Sequence, residues 1–250
     1  MMSITPVVKQ LLIINIIFFI GTMVVGDAAY KILSLYYPEN PNFRLWQPLS
    51  HMFMHGNIMH IAFNMFALYS FGSALEQIWG GKKFLFFYIS CGFGAALLHS
   101  AVNWYAFQNG LDALAANGFT KSDVMPILAE GKYNLQWQEI LPGPKFQNFI
   151  SAFITPAVGA SGAIYGLLVA FAFMFPNVEL MMMFIPLPIK AKYFVPGILL
   201  IDLFLGISGK SIFGGSGSGI AHFAHIGGAL IGFLMMWYWK KNQFNSNRWN

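Results

Sequence analysis

The sequence predicts an all-α membrane protein of six transmembrane helices, and three observations carry that prediction. Of the 250 residues, 57% are hydrophobic and only 9% charged, where a soluble domain carries about a quarter charged. Mean hydropathy is +0.59. Apolar runs long enough to cross a bilayer, about 20 residues for a ~30 Å hydrocarbon core, recur from end to end. No stretch is left over for a separate soluble domain, so residues 1–250 read as one transmembrane domain.

The first span is expected near residues 10–29. A lone lysine precedes LLIINIIFFIGTMVVG and no small-residue cleavage site follows, so this run reads as a retained helix and not as a removed signal peptide. The others are expected near 57–79, 84–106, 160–176, 190–207 and 219–239. An even number of spans puts both termini on one side. With the N-terminus inside, Lys9, Lys82, Lys83, Lys190, Lys192, Lys240, Lys241 and Arg248 fall in short cytoplasmic flanks. Lys31, Arg44, Lys121, Lys132, Lys145 and Lys210 fall outside, three of them in one long loop that counts less toward orientation.

Two connections stand apart. Residues 107–156 carry NG and PGP turn signals together with Trp137, Phe146 and Phe149, which suit the membrane interface. The segment reads as an outer cover, a substrate contact or a plain insertion. Residues 206–219, GISGKSIFGGSGSG, form a flexible glycine–serine loop ahead of the last span. Basic residues are scattered at span ends and do not line up as a stripe, so the pI near 9.3 reports topology and not nucleic-acid binding. Cys91 is the only cysteine, which rules out an intramolecular disulfide and leaves a small core residue.

Polar groups inside a bilayer are costly enough that each is a candidate for function. They fall on three helices that all run from outside to inside. HMFMHGNIMHIAFNMF brings His51, His55, His60 and Asn64 to the second span, Ser161 opens the fourth, and AHFAHIGG brings His222 and His225 to the sixth. Asn64, Ser161 and His225 each lie about 15 residues before their inner edge, roughly 22–24 Å up at ~1.5 Å per residue. A serine, a histidine and an amide are therefore expected at one level. A neutral histidine supplies a base for a serine nucleophile without burying a permanent charge. His60, the Asn64 amide and the Ser161 backbone N–H at a helix start are suited to a developing oxyanion.

Structural roles compete at the same positions. Gly162 and Gly166, and likewise Gly228 and Gly232, have the four-residue spacing of a helix-packing stripe. His51 and His55 at i, i+4 resemble half a metal site, but they lack a third ligand nearby, so neither metal nor cofactor is expected. Asp202, counted from Lys192, is expected about 15 Å up and below the serine–histidine level, as a structural or water-facing carboxylate.

Taken together, HGNIMHIAFNMF, GASG and AHIGGALIG resemble the motifs of the rhomboid intramembrane serine proteases, and the resemblance covers nearly all of the chain through its six-span layout. It implies a Ser161 nucleophile and a His225 base acting as a dyad. It also implies an oxyanion hole from His60 and Asn64, with Gly159 and Ser161 shaping its backbone part, and Tyr165 stacked on the His225 ring. In this chain the family's Trp-Arg in the first outer loop is Trp46-Gln47, which removes the arginine's bracing. The implied substrates are transmembrane segments of other membrane proteins, cut where a helix unwinds, with Pro196 and Gly197 loosening the fifth span as a gate and residues 206–219 as a cap. The competing functions are a non-catalytic rhomboid-like chaperone and a small transporter lined by His51, His55, His60 and His222. Nothing resembling an organelle-targeting extension precedes the first span, so a bacterial cytoplasmic membrane is expected.

Overall fold

A computed structural model describes residues 3–182, 185–208 and 220–242. It contains α1 (Pro6–Val25), α2 (Asp27–Leu33), α3 (Gln47–Ser50), α4 (Ile58–Ala67), α5 (Ser73–Trp79), α6 (Gly81–Ala115), α7 (Lys121–Ala129), α8 (Gln136–Ile140), α9 (Pro144–Ile154), α10 (Ser161–Met174), α11 (Ala191–Ser208) and α12 (Ile220–Asn242). A π-helical turn, Leu68–Gly72, joins α4 to α5, so the two make one continuous rod over Ile58–Trp79. The all-α membrane architecture is as the sequence predicts. Among the described residues, five helices are long and apolar enough to cross a membrane. The remaining apolar rod, α10, has only 14 residues and is about 21 Å long.

The boundaries follow local chemistry. α1 begins four residues before the expected start because Pro6 at its first position gives up no hydrogen bond, and it stops at Gly26, whose φ of +69° no β-carbon tolerates well. Its first-turn donors are satisfied from another helix: buried Glu76 on α5 accepts from Val7 N and Val8 N, each at 2.9 Å, and from the Thr5 hydroxyl. A carboxylate at a helix N-terminus also meets the positive end of the macrodipole. This fastens the start of α1 to the end of the second rod, on the side where Trp79 and Trp239 meet edge to face at 5.4 Å.

α6 departs most from expectation. It runs to Ala115, straight through the Asn109–Gly110 pair that reads as a turn, and at 35 residues is about 52 Å long. Packing overrides the turn signal: a β-carbon on Gly110 would lie 2.1 Å from the Phe149 ring, so the glycine is a notch for that ring and not a break. The far end of α6 carries α7, α8 and α9, and together they bury a second core around Phe107, Leu114, Val124, Trp137, Phe149 and Phe153. Trp137, Phe146 and Phe149 therefore lie inside this small outer subdomain and not at a lipid interface, where single-residue composition had placed them.

The main core is built where α6, α10 and α12 cross. β-Carbons on Gly162 and Gly166 would fall 2.3 Å from Ala95 Cβ and Cys91 Sγ of α6. On α12, a β-carbon on Gly228 would lie 1.8 Å from the Gly162 carbonyl oxygen, and one on Gly232 2.8 Å from Gly166 Cα. The helices touch backbone to backbone, as small-residue stripes permit. Beyond α10 a two-stranded antiparallel hairpin, β1 (Glu179–Met182) and β2 (Ile185–Lys190), leads into α11. Of the glycine–serine loop expected at 206–219 to act as a cap, residues 206–208 belong to the end of α11 and 209–219 lie outside the described residues.

Glu76→Ala strips three hydrogen bonds from the start of α1 and leaves buried donors behind. The expected loss is about 3 kcal/mol, read as a lowered midpoint in thermal unfolding of the detergent-solubilised protein, with Glu76→Gln losing less.

Candidate active site

Ser161 is the first residue of α10 because the chain before it cannot be helical. Pro156 favours extended backbone in the residue ahead of it, Ala157 pairs with Leu35 in an isolated bridge (2.8 and 3.0 Å), and Gly159 has φ +126°. The first amides of a helix have no partner within it, and Ile164 is the first whose N–H bonds back, to the Ala160 carbonyl at 3.0 Å. Gly159 N–H donates to the His51 carbonyl at 2.9 Å. That amide is committed, so backbone donation to a ligand falls to the start of α10.

The structure brings Ser161 and His225 together, with Oγ 2.9 Å from Nε2. The Tyr165 ring, one turn along α10, lies flat on the imidazole at 4.2 Å between centroids and 9° between planes. Gly162, Gly228 and Gly232 act beneath the pair, as the packing seam that holds α10 against α12.

His60 and Asn64 sit one turn apart on α4, which Asn57 caps by accepting from His60 N at 2.8 Å. Gly56 N–H donates to His60 Nδ1 at 3.4 Å, which puts the ring proton of a neutral imidazole on Nε2. A β-carbon on Gly159 would lie 2.8 Å from that Nε2 and 3.6 Å from Ser161 Oγ. The bare face of Gly159 thus leaves open the space between histidine and serine. Asn64 Nδ2 is buried without a hydrogen-bond partner, and an orphaned donor of this kind calls for an acceptor.

Asp202 is where sequence and structure part. In place of lying below the pair, its Oδ1 is 3.2 Å from His225 Nδ1 and 2.5 Å from His222 Nδ1. Residue counting measures height along each helix separately and contains neither the offset nor the tilt between two helices. The visible signal was a lone carboxylate within an apolar helix. An ionised carboxylate only accepts, so Nδ1 of His225 carries the proton and Nε2 presents its lone pair to the Ser161 hydroxyl.

The remaining sequence candidates lie apart. His51 Nδ1 bonds the Gln47 carbonyl at 2.9 Å, and His55 stands edge-on to His60 at 5.0 Å. Burial pushes both imidazoles, in the connection ahead of the second rod, down to about 4, so each is neutral at pH 7. Among the described residues, Asp202, His222 and His225 are the one group of three ligand atoms close enough for a metal, within 4.8 Å of one another. Gln47 does brace the first outer connection: its Oε1 accepts from Tyr36 N at 3.2 Å and its Nε2 donates to the Asn42 carbonyl at 2.8 Å and the Lys31 carbonyl at 3.2 Å. A neutral amide does here with both ends what the sequence comparison assigns to an arginine.

The chain matches the Rhomboid domain over residues 42–119 and 139–242, and it belongs to the rhomboid family. It is 29% identical over 193 residues to rhomboid protease AarA of Providencia stuartii, covering 76% of this chain and 54% of that one. It is 25% identical over 189 residues to mitochondrial rhomboid protein 1 of Saccharomyces cerevisiae, covering 76% of this chain and 40% of the yeast protein. The human presenilin-associated rhomboid-like protein, mitochondrial, is 27% identical over 206 residues, 81% of this chain and 40% of the human protein. The chain thus spans about half or less of the length of these relatives. The family includes intramembrane proteases, and the protein is an integral membrane protein.

Gln47→Leu leaves the buried Tyr36 amide and the part-buried Lys31 and Asn42 carbonyls without their side-chain partner. It is expected to cost about 2–4 kcal/mol and to speed proteolytic nicking between α2 and α3, followed by limited digestion.

Proposed function

We propose that the protein is an intramembrane serine endopeptidase that cleaves transmembrane segments of other membrane proteins, working within the lipid bilayer through a Ser161–His225 dyad without metal or cofactor. The observation that carries this reading is the 2.9 Å approach of His225 Nε2 to Ser161 Oγ, on helices joined by backbone contact. As Oγ attacks the scissile carbonyl carbon, its proton passes to Nε2, and Asp202 and the stacked Tyr165 stabilise the imidazolium that forms. The carbonyl oxygen becomes an oxyanion in the space bounded by Gly159. There His60 Nε2–H, the Asn64 amide and the Ser161 N–H donate to it. Collapse breaks the C–N bond as His225 returns the proton to the leaving amine. Water, deprotonated by the same imidazole, then releases the acyl group from Ser161.

The whole of residues 1–250 acts as one rhomboid-like domain with both termini cytoplasmic. Placing Ser161 below the outer surface requires a substrate helix to unwind before its carbonyl is accessible, which favours substrates with helix-weakening residues at their outer end. α11 is the element suited to let them in: it contains Pro196, and a β-carbon on Gly197 would meet nothing within 4 Å. The relatives include mitochondrial as well as bacterial rhomboids, so the expected bacterial cytoplasmic membrane draws no support from them.

The test is cleavage of a fluorescent transmembrane substrate by the purified protein. Ser161→Ala and His225→Ala are each expected to lower kcat at least ~10³-fold with thermal unfolding unchanged, and a mechanism-based serine reagent should label Ser161 alone. Cleavage surviving in both variants would end the dyad assignment. Gly159→Ala pushes a methyl into the oxyanion space and is expected to lower kcat about 10²-fold, with KM far less affected.

A further inference from the structure

Asp202, His222 and His225 form a cluster that proton transfer from serine does not by itself call for. The dyad needs one partner for His225 Nδ1, yet a second imidazole is directed at the same carboxylate oxygen. His222 and His225 stand at i, i+3 on one face of α12, with rings edge to face at 6.1 Å and 86°, and both turn Nδ1 toward Asp202 on α11. The carboxylate is buried, and the histidine side chains are 12% and 23% exposed. The site is therefore desolvated at its base and accessible from the side of the histidines.

We propose that these three residues bind a divalent transition-metal ion of the zinc type, and that the bound ion switches the serine–histidine pair off. Two imidazoles and a carboxylate, with a fourth position left for water, make a common zinc ligand set. Bonds of about 2.0–2.1 Å in a tetrahedron put donor atoms about 3.3–3.4 Å apart. Asp202 Oδ1 and His225 Nδ1 are already 3.2 Å apart, and Oδ1 and His222 Nδ1 at 2.5 Å need to open by less than about 1 Å. The Tyr165 ring, stacked flat on the His225 imidazole, fixes the orientation of that ligand.

The effect on catalysis follows from proton count. Without metal, the one proton of the neutral His225 ring sits on Nδ1 and faces Asp202, and Nε2 is free to accept from Ser161. A metal ion on Nδ1 requires the lone pair there, so the neutral ring gives up its Nδ1 proton and carries its one proton on Nε2. The Nε2–H then donates to Ser161 Oγ and has nothing with which to accept the serine proton. No atom near Ser161 need move. The loss of rate rests on the protease function proposed above, whereas the binding does not.

The test uses the full chain without a polyhistidine tag, in detergent, on a Ser161→Ala background. Cobalt(II) is the probe. One equivalent is expected to give the visible absorption of a four-coordinate site, displaced by zinc, with affinity falling at least ~10-fold in His222→Asn and in Asp202→Asn. His222→Cys keeps a ligand and should add a thiolate-to-cobalt charge-transfer band, a gain of signal that misfolding cannot imitate. Cobalt held equally tightly by both asparagine variants, or a cysteine variant without the new band, would overturn the site. In a second arm, zinc is titrated into substrate cleavage by the wild-type protein, and each variant is scaled to its own metal-free rate. Zinc is expected to inhibit the wild type at least ~10-fold more potently than His222→Asn. Stoichiometric binding with undiminished cleavage would overturn the switch. A wild-type protein inactive with or without metal, but with the cobalt spectrum intact, would sink the protease function and leave the metal site standing.

Discussion

The fold rests on one constraint, the absence of side chains where α10 meets α12. Backbone lies on backbone at Gly162–Gly228 and at Gly166–Gly232, and α6 closes the seam with Ala95 and Cys91. In a lipid environment this contact draws little from hydrophobic transfer, because hydrocarbon surrounds the helices before and after they meet. Its strength is dispersion between closely packed atoms, which falls off steeply with distance. A single methyl at Gly228 would overlap the Gly162 carbonyl, so the seam tolerates nothing larger than hydrogen. The same closeness sets the distance from His225 to Ser161. Packing and chemistry are two readings of one geometry.

Around that seam the polar groups are assigned with economy. Several backbone groups are satisfied from a neighbour: Glu76 serves the start of α1, Gln47 the turns between α2 and α3, and His51 the approach to α10. Against this background the unpartnered donor of Asn64, beside a His60 whose proton faces Gly159, stands out. Among the described residues other buried side-chain atoms, such as Ser73 Oγ and Trp137 Nε1, also have no hydrogen-bond partner, and what sets Asn64 apart is its place one turn from His60 on α4.

Much of this was legible in the sequence, and the limits have physical causes. Among the described residues five of the six expected spans are long and apolar enough to cross a membrane, and the order of polar residues and the meeting of Ser161 with His225 follow from apolar run length and a rise of about 1.5 Å per residue. Asp202 did not, because the relative height of residues on two helices depends on tilt and offset, which run lengths do not contain. Gly110 misled for a related reason: a glycine beside asparagine is a turn signal locally, and only the Phe149 ring from 39 positions later makes it a packing notch. Trp137 and Phe149 looked interfacial because composition sees a large apolar ring but not the other rings it meets. Glu76 carried no signal, since two of its three partners are backbone amides, which every residue but proline has.

The lengths of α6 and α10 divide the labour between them. α6, at about 52 Å, carries its own aromatic core at one end, whereas α10, at about 21 Å, is shorter than a ~30 Å hydrocarbon core. Ser161 and His225 ride on α10 and α12, which the glycines hold together, but Asp202 rides on α11, most of whose face is exposed. An outward swing of α11 would therefore leave the serine–histidine distance unchanged and carry the carboxylate away from the imidazole. Opening the wall of the bundle and altering the company His225 keeps are, in this architecture, a single mechanical event.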